Sequence, residues 1–138
     1  PGSEVYHERD DPDSRRLGGV VWESLVGELA QFDIDWVASE YRGVVWRVDR
    51  DGDDFYGVLR RADTMPAIIV EAAYLTGDAE AELLATEEFR DAEALGIAKG
   101  IEQFLRTDAA GDGYIDGFTL GGSARSFDMD KCEDPPLE

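Results

Sequence analysis

The sequence has a single cysteine, Cys132, and a single histidine, His7. One cysteine cannot form an internal disulfide, so cysteine content does not identify the redox compartment. One histidine cannot build a tetrahedral metal site by itself, and we expect His7 to be either a surface residue or a histidine with satisfied hydrogen bonds. No apolar run approaches the roughly 18 residues that a membrane-spanning helix needs. No signal peptide is visible, although a chain that begins at Pro1 rather than Met can have lost one.

Positive charge is also scarce. Thirteen Lys and Arg residues stand against 32 Asp and Glu residues, which gives a net charge of −19. Such a surface repels phosphate backbones and anionic lipids, so nucleic acid and membrane are not expected as partners. A peptide or glycan ligand remains compatible with it. The length of 138 residues, 43% of them hydrophobic, suits one folded domain.

The local patterns predict an α/β order of elements. Residues 3–7 read as a short strand, and a helix follows over residues 13–32, capped by Asp11 or Asp13. A β-rich insert covers about residues 35–60, with β-rich runs at 35–38, 44–48 and 55–60. Residues 67–70 form a wholly apolar strand, typical of a central position. A helical stretch over 78–106, broken near Thr86, precedes a mostly irregular acidic tail over 107–138.

Two or three core strands are too few for a complete doubly wound sheet. Either a small α/β unit stands alone, or strands outside this chain complete the sheet. In the second case an edge lies exposed beside residues 68–70, which predicts self-association.

The apolar strand at 67–70 ends on a carboxylate, Glu71. Ligands of open α/β sheets gather at the carboxyl ends of strands, and the small Ala72 and Ala73 leave room beside this side chain. A carboxyl group in such a place tends to have a raised pKa, which suits general acid–base catalysis. The alternative is a structural glutamate paired with Arg60 or Arg61, and the residues alone leave both interpretations open.

Residues 58–89 (VLRRADTMPAIIVEAAYLTGDAEAELLATEEF) resemble the C-terminal signature of the zinc-dependent N-acetylmuramoyl-L-alanine amidases. The VLR at 58–60 and the MPA at 65–67 match that signature, and Glu71 stands where the family has its catalytic glutamate. GSEVY at 2–6 is similar to the Gly-x-Glu-x-Tyr strand that follows the family's second histidine ligand. The departures are Ala72-Ala73 for a Gly pair and Gly77-Asp78 for Asn-Pro.

The resemblance implies a three-layer α/β/α sandwich with a mostly parallel sheet, of which residues 1–106 are the C-terminal portion and N-terminal strands are missing. It implies a peptidoglycan hydrolase of the bacterial cell wall, acting outside the cell, that cleaves the amide between N-acetylmuramic acid and L-alanine. Glu71 would be general base and then acid on a zinc-bound water, and Arg60 would orient the substrate or Glu71. The family's zinc ligands, two His and one Glu, are expected upstream of Pro1, so this chain alone is expected to be inactive.

Other features give weaker hypotheses. Trp36 and Trp46 in the insert are candidates for stacking on a glycan, whereas Trp22 is expected in the core. The acidic segments 49–54 and 108–116 suggest weak calcium binding, although plain loops are the simpler interpretation because the second lacks two ligands of an EF-hand. The alternatives to an enzyme are therefore a non-catalytic interaction domain on the amidase scaffold or an acidic calcium-binding module.

Overall fold

The computed structural model describes residues 2–37, 42–62 and 64–119. Five short strands and three α-helices make up this part of the chain, and a 3₁₀ turn lies at Leu59–Arg61. In chain order the elements are β1 (Glu4–His7), α1 (Pro12–Leu29), β2 (Gly43–Val45), β3 (Arg47–Val48), β4 (Ile68–Glu71), α2 (Asp78–Leu84), α3 (Glu87–Arg106) and β5 (Phe118–Thr119).

Helix α1 begins where the sequence predicted. The Asp11 carboxylate accepts hydrogen bonds from the backbone N–H groups of Asp13 and Ser14, with Pro12 in the first turn. The helix ends at Leu29, three residues earlier than predicted. After Leu29 the chain turns so that the Phe32 ring meets Phe89 of α3 edge-on, with 5.0 Å between ring centroids.

The main sheet has the strand order β2-β1-β4. Strand β1 runs parallel to β2 and antiparallel to β4, while β3 and β5 form a separate parallel pair. Parallel pairing therefore predominates, and the α/β class is confirmed. The predicted central position of residues 67–70 is wrong for the described sheet, because β4 lies at its end and its side chains are only half-buried.

Apolar side chains cover both faces of the sheet. Helix α1 packs on one face, and α3 packs against α1. The segment around the 3₁₀ turn covers the other face. The buried members are Val5, Trp22 and Val44 on the α1 face, Tyr6, Val45 and Leu59 on the opposite face, and Leu25, Leu29, Trp36, Phe89 and Ala92 in the cluster that joins α1 and α3.

Two glycines let α1 and α3 approach closely. A Cβ atom on Gly96 would lie 2.7 Å from Leu25 Cα, and one on Gly100 would lie 2.9 Å from the Val20 carbonyl oxygen. Both neighbours belong to the α1 backbone, which cannot rotate out of the way. The absence of side chains at these positions therefore sets the distance between the helices.

Two predicted β-rich runs are not strands over the residues that the structure describes, and residue 38 lies outside them. At residues 35–37 the chain forms a turn, where the Ser3 N–H donates to the Trp36 carbonyl. Residues 55–60 lead into the 3₁₀ turn, with the Leu59 and Arg60 N–H groups donating to the Tyr56 carbonyl. In both places packing of aromatic side chains against the sheet and α3 outweighs local β-propensity. The run at 44–48 is divided between β2 and β3, with a break at Trp46.

The predicted break near Thr86 is confirmed. The Thr86 hydroxyl accepts the Phe89 N–H at 3.3 Å and caps α3. No described helix combines the length and apolar character that crossing a bilayer requires.

The first part of the predicted irregular tail belongs to the folded body. The Val44 N–H donates to the Gly113 carbonyl at 2.7 Å, and the Ile115 N–H donates to the Val44 carbonyl at 3.0 Å. Gly43 has a φ of +145°, and a Cβ there would collide with the same Gly113 carbonyl. Phe118–Thr119 form a strand, which corrects the expectation of irregular chain for these two residues. Residues 120–138 lie outside the described part of the chain.

Candidate active site

Glu71, the last residue of β4, lies directly opposite Glu4, the first residue of β1. Opposed residues of an antiparallel pair project to the same face, with their Cβ atoms roughly 5 Å apart. The Glu4 side chain is buried, whereas Glu71 is half-buried. The structure therefore places two carboxyl groups side by side at one end of the sheet, although only Glu71 was predicted from the sequence.

Hydrogen bonds fix the position of Glu4. The Tyr6 hydroxyl, two residues along the same face of β1, donates to Glu4 Oε2 at 2.7 Å. The Arg42 guanidinium forms an ion pair with Glu4 Oε1. Arg42 also donates to the Tyr74 hydroxyl at 2.6 Å and lies over the Tyr74 ring, 4.2 Å from its centroid. Glu4, Tyr6, Arg42 and Tyr74 thus form one connected group, which we call the Glu4 network.

A second cation, Arg47 of β3, also acts on Glu71. The Arg47 guanidinium donates to the Tyr56 hydroxyl at 3.1 Å and stacks over the Phe55 ring, 4.4 Å from its centroid. These aromatic contacts hold Arg47 near Glu71, where its charge acts on the carboxyl group.

Burial raises the pKa of Glu71 above its ordinary value, and the neighbouring Glu4 carboxylate raises it further. The charges of Arg47 and Arg42 oppose this without cancelling it. A larger fraction of Glu71 is therefore protonated near neutral pH than for a free carboxyl group. Such a group can both take up and release a proton, which general acid–base catalysis requires.

The two tyrosines of the Glu4 network remain protonated at neutral pH. Burial, followed by the hydrogen bond and charge of Glu4, raises the pKa of both Tyr6 and Tyr74. Their hydroxyl groups therefore stay uncharged, and Tyr6 serves as a fixed hydrogen-bond donor to Glu4.

Glu80 ties together the chain segments that carry the two carboxyl groups. Its side chain is fully buried, and Oε1 accepts the N–H groups of Gly2 at 3.0 Å and Tyr74 at 3.3 Å. The Ser3 hydroxyl adds a hydrogen bond to the Ala72 carbonyl at 2.7 Å. Sequence reasoning missed Glu80, because nothing in its local pattern separates it from the other acidic residues of α2.

Arg60, predicted to act on Glu71 or the substrate, lies elsewhere. Its guanidinium contacts Asp49 Oδ2 at 3.3 Å and donates to the Asp54 carbonyl at 2.8 Å. The prediction assumed an extended strand, whereas the 3₁₀ turn directs Arg60 toward the 49–54 loop. The cations whose charges act on Glu71 are Arg42 and Arg47, so the alternative pairing with Arg60 or Arg61 is not observed.

The two tryptophans of the insert differ in position. Trp36 is only 4% exposed, its indole N–H donates to the Leu29 carbonyl at 2.8 Å, and it stacks on Phe89. This position corrects the prediction that Trp36 lines a glycan groove, because its ring faces lie in the core. Trp46 is half-buried, and its indole packs against Gly117. Its contact with a glycan stays a prediction. Trp22 lies in the core, as expected.

Within residues 2–37, 42–62 and 64–119, no group of three or more His, Cys, Asp or Glu side chains is arranged to hold a metal ion. His7 is buried, and its Nδ1 contacts the Glu8 carbonyl oxygen at 2.7 Å. Burial lowers its pKa, and it lies three residues along β1 from Glu4, about 10 Å away. In the 49–54 loop, Asp49 Oδ1 accepts the N–H groups of Asp51 and Asp53. The described residues therefore do not form a zinc or calcium site by themselves.

Comparison with known proteins identifies a family. A family model described as N-acetylmuramoyl-L-alanine amidase matches residues 1–103. N-acetylmuramoyl-L-alanine amidase AmiC of Neisseria meningitidis is 39% identical over 95 residues, which cover 69% of this chain and 19% of AmiC. The chain therefore spans about a fifth of that relative's length.

A solved structure shows a similar fold. The CwlD amidase of Clostridioides difficile, determined in complex with the GerS lipoprotein, superposes with a TM-score of 0.58 at 20% sequence identity. The similarity covers 75% of this chain and 46% of the CwlD chain. Since the family model spans well over half of the residues, this chain belongs to the N-acetylmuramoyl-L-alanine amidase family.

Proposed function

We propose that this chain supplies the catalytic glutamate of a peptidoglycan amidase, which cleaves the bond between N-acetylmuramic acid and the L-alanine of the stem peptide. The observation that carries the proposal is the position of Glu71. It ends a strand and is half-buried opposite Glu4, and burial followed by the charge of Glu4 raises its pKa. Membership of the amidase family supports the reaction class.

In this reaction Glu71 acts twice. As general base it takes a proton from the water that attacks the carbonyl carbon of the lactyl amide. As general acid it then gives that proton to the L-alanine nitrogen when the carbon–nitrogen bond breaks. A carboxyl group with a raised pKa suits both steps, because the free-energy difference between its protonated and ionised forms near neutral pH is smaller than for a free carboxyl group.

The family resemblance implies zinc. We propose that residues outside the described part of the chain hold it, two histidines and one glutamate by the family resemblance. The proposed site of action is the bacterial cell wall outside the cytoplasm, where the peptidoglycan substrate lies.

The test compares Glu71→Gln with wild type in the intact protein that contains this chain. Purified peptidoglycan is incubated with each protein at neutral pH with zinc added, and newly exposed L-alanine amino groups are measured. Loss of the proton acceptor is expected to lower the rate by about 100-fold or more. Glu93→Gln is the matched control, because burial also raises the pKa of Glu93, but this residue lies on α3.

Three outcomes are informative. Full activity of Glu71→Gln would refute the catalytic assignment. Equal losses in Glu71→Gln and Glu93→Gln would refute it as well, since they indicate a general effect on folding. Binding of the wild-type protein to peptidoglycan without any release of L-alanine ends would favour the alternative of a non-catalytic interaction domain.

A further inference from the structure

Two carboxylates and one guanidinium compete at the end of the sheet. Arg42 lies near both Glu4 and Glu71, yet the structure pairs it with Glu4. Within the described residues, no hydrogen bond or ion pair involves the Glu71 carboxylate. An arginine–carboxylate pair stabilises the ionised carboxylate, so pairing with Arg42 would make Glu71 a poor proton donor.

We propose that Glu4 is a positioning residue for Glu71: by holding Arg42 in an ion pair on the neighbouring strand, it prevents this guanidinium from neutralising the catalytic carboxylate. The proposal rests on the proposed function in one respect, the assignment of proton transfer to Glu71. Glu4 itself exchanges no proton with the substrate.

The contacts of the Glu4 network explain why Glu4 rather than Glu71 binds the cation. Glu4 is only 5% exposed, and its second carboxylate oxygen is fixed by the Tyr6 hydroxyl at 2.7 Å. Arg42 is held from its other side by the ring and hydroxyl of Tyr74. Both partners are thus ordered before they meet, which lowers the entropy cost of the ion pair. The more exposed Glu71 has no comparable support.

Charged and titratable groups face Glu71 from every neighbouring element. Among the described residues they are Glu4 from β1, Arg42 from the segment before β2, Arg47 from β3 and Tyr74 from the loop after β4. Arg47 is held by its contacts with aromatic rings, and Tyr74 stays protonated. Because Arg42 forms the ion pair with Glu4, it is the cation that changes partner when Glu4 is removed. Loss of the Glu4 charge and release of Arg42 both favour the ionised form of Glu71.

The experiment measures the titration of the Glu71 side-chain carboxyl by carbon-detected NMR in the full chain. Wild type is compared with Glu4→Gln, Arg42→Gln and the double variant. Glu4→Gln is expected to move the midpoint for Glu71 downward by about one pH unit. Arg42→Gln is expected to move it upward, since Glu4 then faces Glu71 without its counterion. Glu93 on α3 is the internal control, and its midpoint should not change in any variant.

The double variant isolates the role of Arg42. If Glu4 acts by holding Arg42, the downward shift is smaller when Glu4→Gln is made in the Arg42→Gln background, because only the loss of the Glu4 charge then acts on Glu71. A shift of equal size in both backgrounds would overturn the proposal, because Glu4 would then act by its own charge alone. An unchanged Glu71 midpoint in Glu4→Gln would also overturn it. If Glu4→Gln does not fold, Arg42→Gln decides: an upward shift supports the proposal and no shift refutes it.

This measurement is independent of catalysis. A shifted midpoint together with a fully active Glu71→Gln enzyme would refute the proposed function and leave the competition for Arg42 intact. An unshifted midpoint together with an inactive Glu71→Gln enzyme would refute the role of Glu4 and leave the catalytic role of Glu71 intact.

Discussion

The contact between α1 and α3 gives a quantitative prediction, because two glycines in similar helices have opposite surroundings. Gly100 of α3 lies against the α1 backbone, where an added Cβ would be 2.9 Å from the Val20 carbonyl oxygen and would also overlap Val21 Cα. Gly27 of α1 is exposed, and a Cβ there would meet nothing within 4 Å. Replacement of either glycine by alanine raises helix propensity by the same amount, but only the alanine at position 100 would overlap neighbouring atoms.

The expected magnitudes follow from these contacts. Alanine is favoured over glycine in a helix interior by about 1 kcal/mol, so Gly27→Ala should stabilise the fold by about 0.5–1 kcal/mol. In Gly100→Ala the same gain is opposed by overpacking against a backbone, which costs about 1–3 kcal/mol or more. We therefore expect a net destabilisation of about 1–2 kcal/mol for Gly100→Ala.

Urea unfolding followed by circular dichroism provides the assay, with thermal unfolding as a second measurement. Each kcal/mol should change the Tm of a chain of this length by about 3–5 °C. The two variants should therefore lie on opposite sides of wild type. Gly100→Ala at least as stable as Gly27→Ala would refute the view that glycine sets the distance between α1 and α3.

Four other substitutions test the site and its supports. Glu71→Gln should raise Tm at pH 7, because burial and the charge of Glu4 raise the pKa of Glu71 and so disfavour its ionised form in the fold. The gain in Tm should vanish below about pH 4, where the carboxyl group is protonated in the folded and the unfolded chain. A gain in Tm that does not depend on pH would contradict this. Phe89→Ala should cost about 3–5 kcal/mol in urea unfolding, since a fully buried ring is lost; a loss below 1 kcal/mol would argue against this core. Asp11→Ala should cost about 1 kcal/mol near pH 7 through loss of the helix cap. Burial alone would raise the pKa of Asp11, but its hydrogen bonds outweigh this and lower it, so the difference from wild type should shrink as pH falls below about 4. Glu80→Ala should lower the free energy of unfolding by about 2 kcal/mol, because two backbone N–H groups lose a buried acceptor. An unchanged urea midpoint would show that water replaces the Glu80 carboxylate as acceptor.

The sequence alone predicted one residue of the candidate site. Glu71 stands out locally, because it follows an apolar run and precedes two alanines. The groups that set its protonation come from distant segments, with Glu4 67 positions away in the chain and Arg42 and Arg47 in the insert. Neither strand register nor the direction of the insert is encoded in a local pattern. The sequence therefore suggested Arg60, which is close along the chain, although other arginines lie near Glu71.

The helices and turns were predicted better than the insert. Asp11 and Thr86 cap α1 and α3 through bonds to residues two or three positions away, so a short stretch of sequence contains the whole signal. The aromatic residues of the insert favour strands by propensity, but burial decides their conformation. Trp36 turns into the cluster around Phe89, and residues 55–60 fold over the opposite face of the sheet.

The amino-acid sequence alone therefore predicted four features. They are the α/β class, both helix caps, the apolar strand before Glu71 and the acidic surface that disfavours nucleic acid. The tertiary structure alone decided which strands are neighbours and in which direction they run. That choice brings Glu4 opposite Glu71 and Arg42 against Glu4, because register is set by packing of whole faces rather than by any single segment. The proton affinity of the candidate catalytic residue is therefore a property of the assembled sheet.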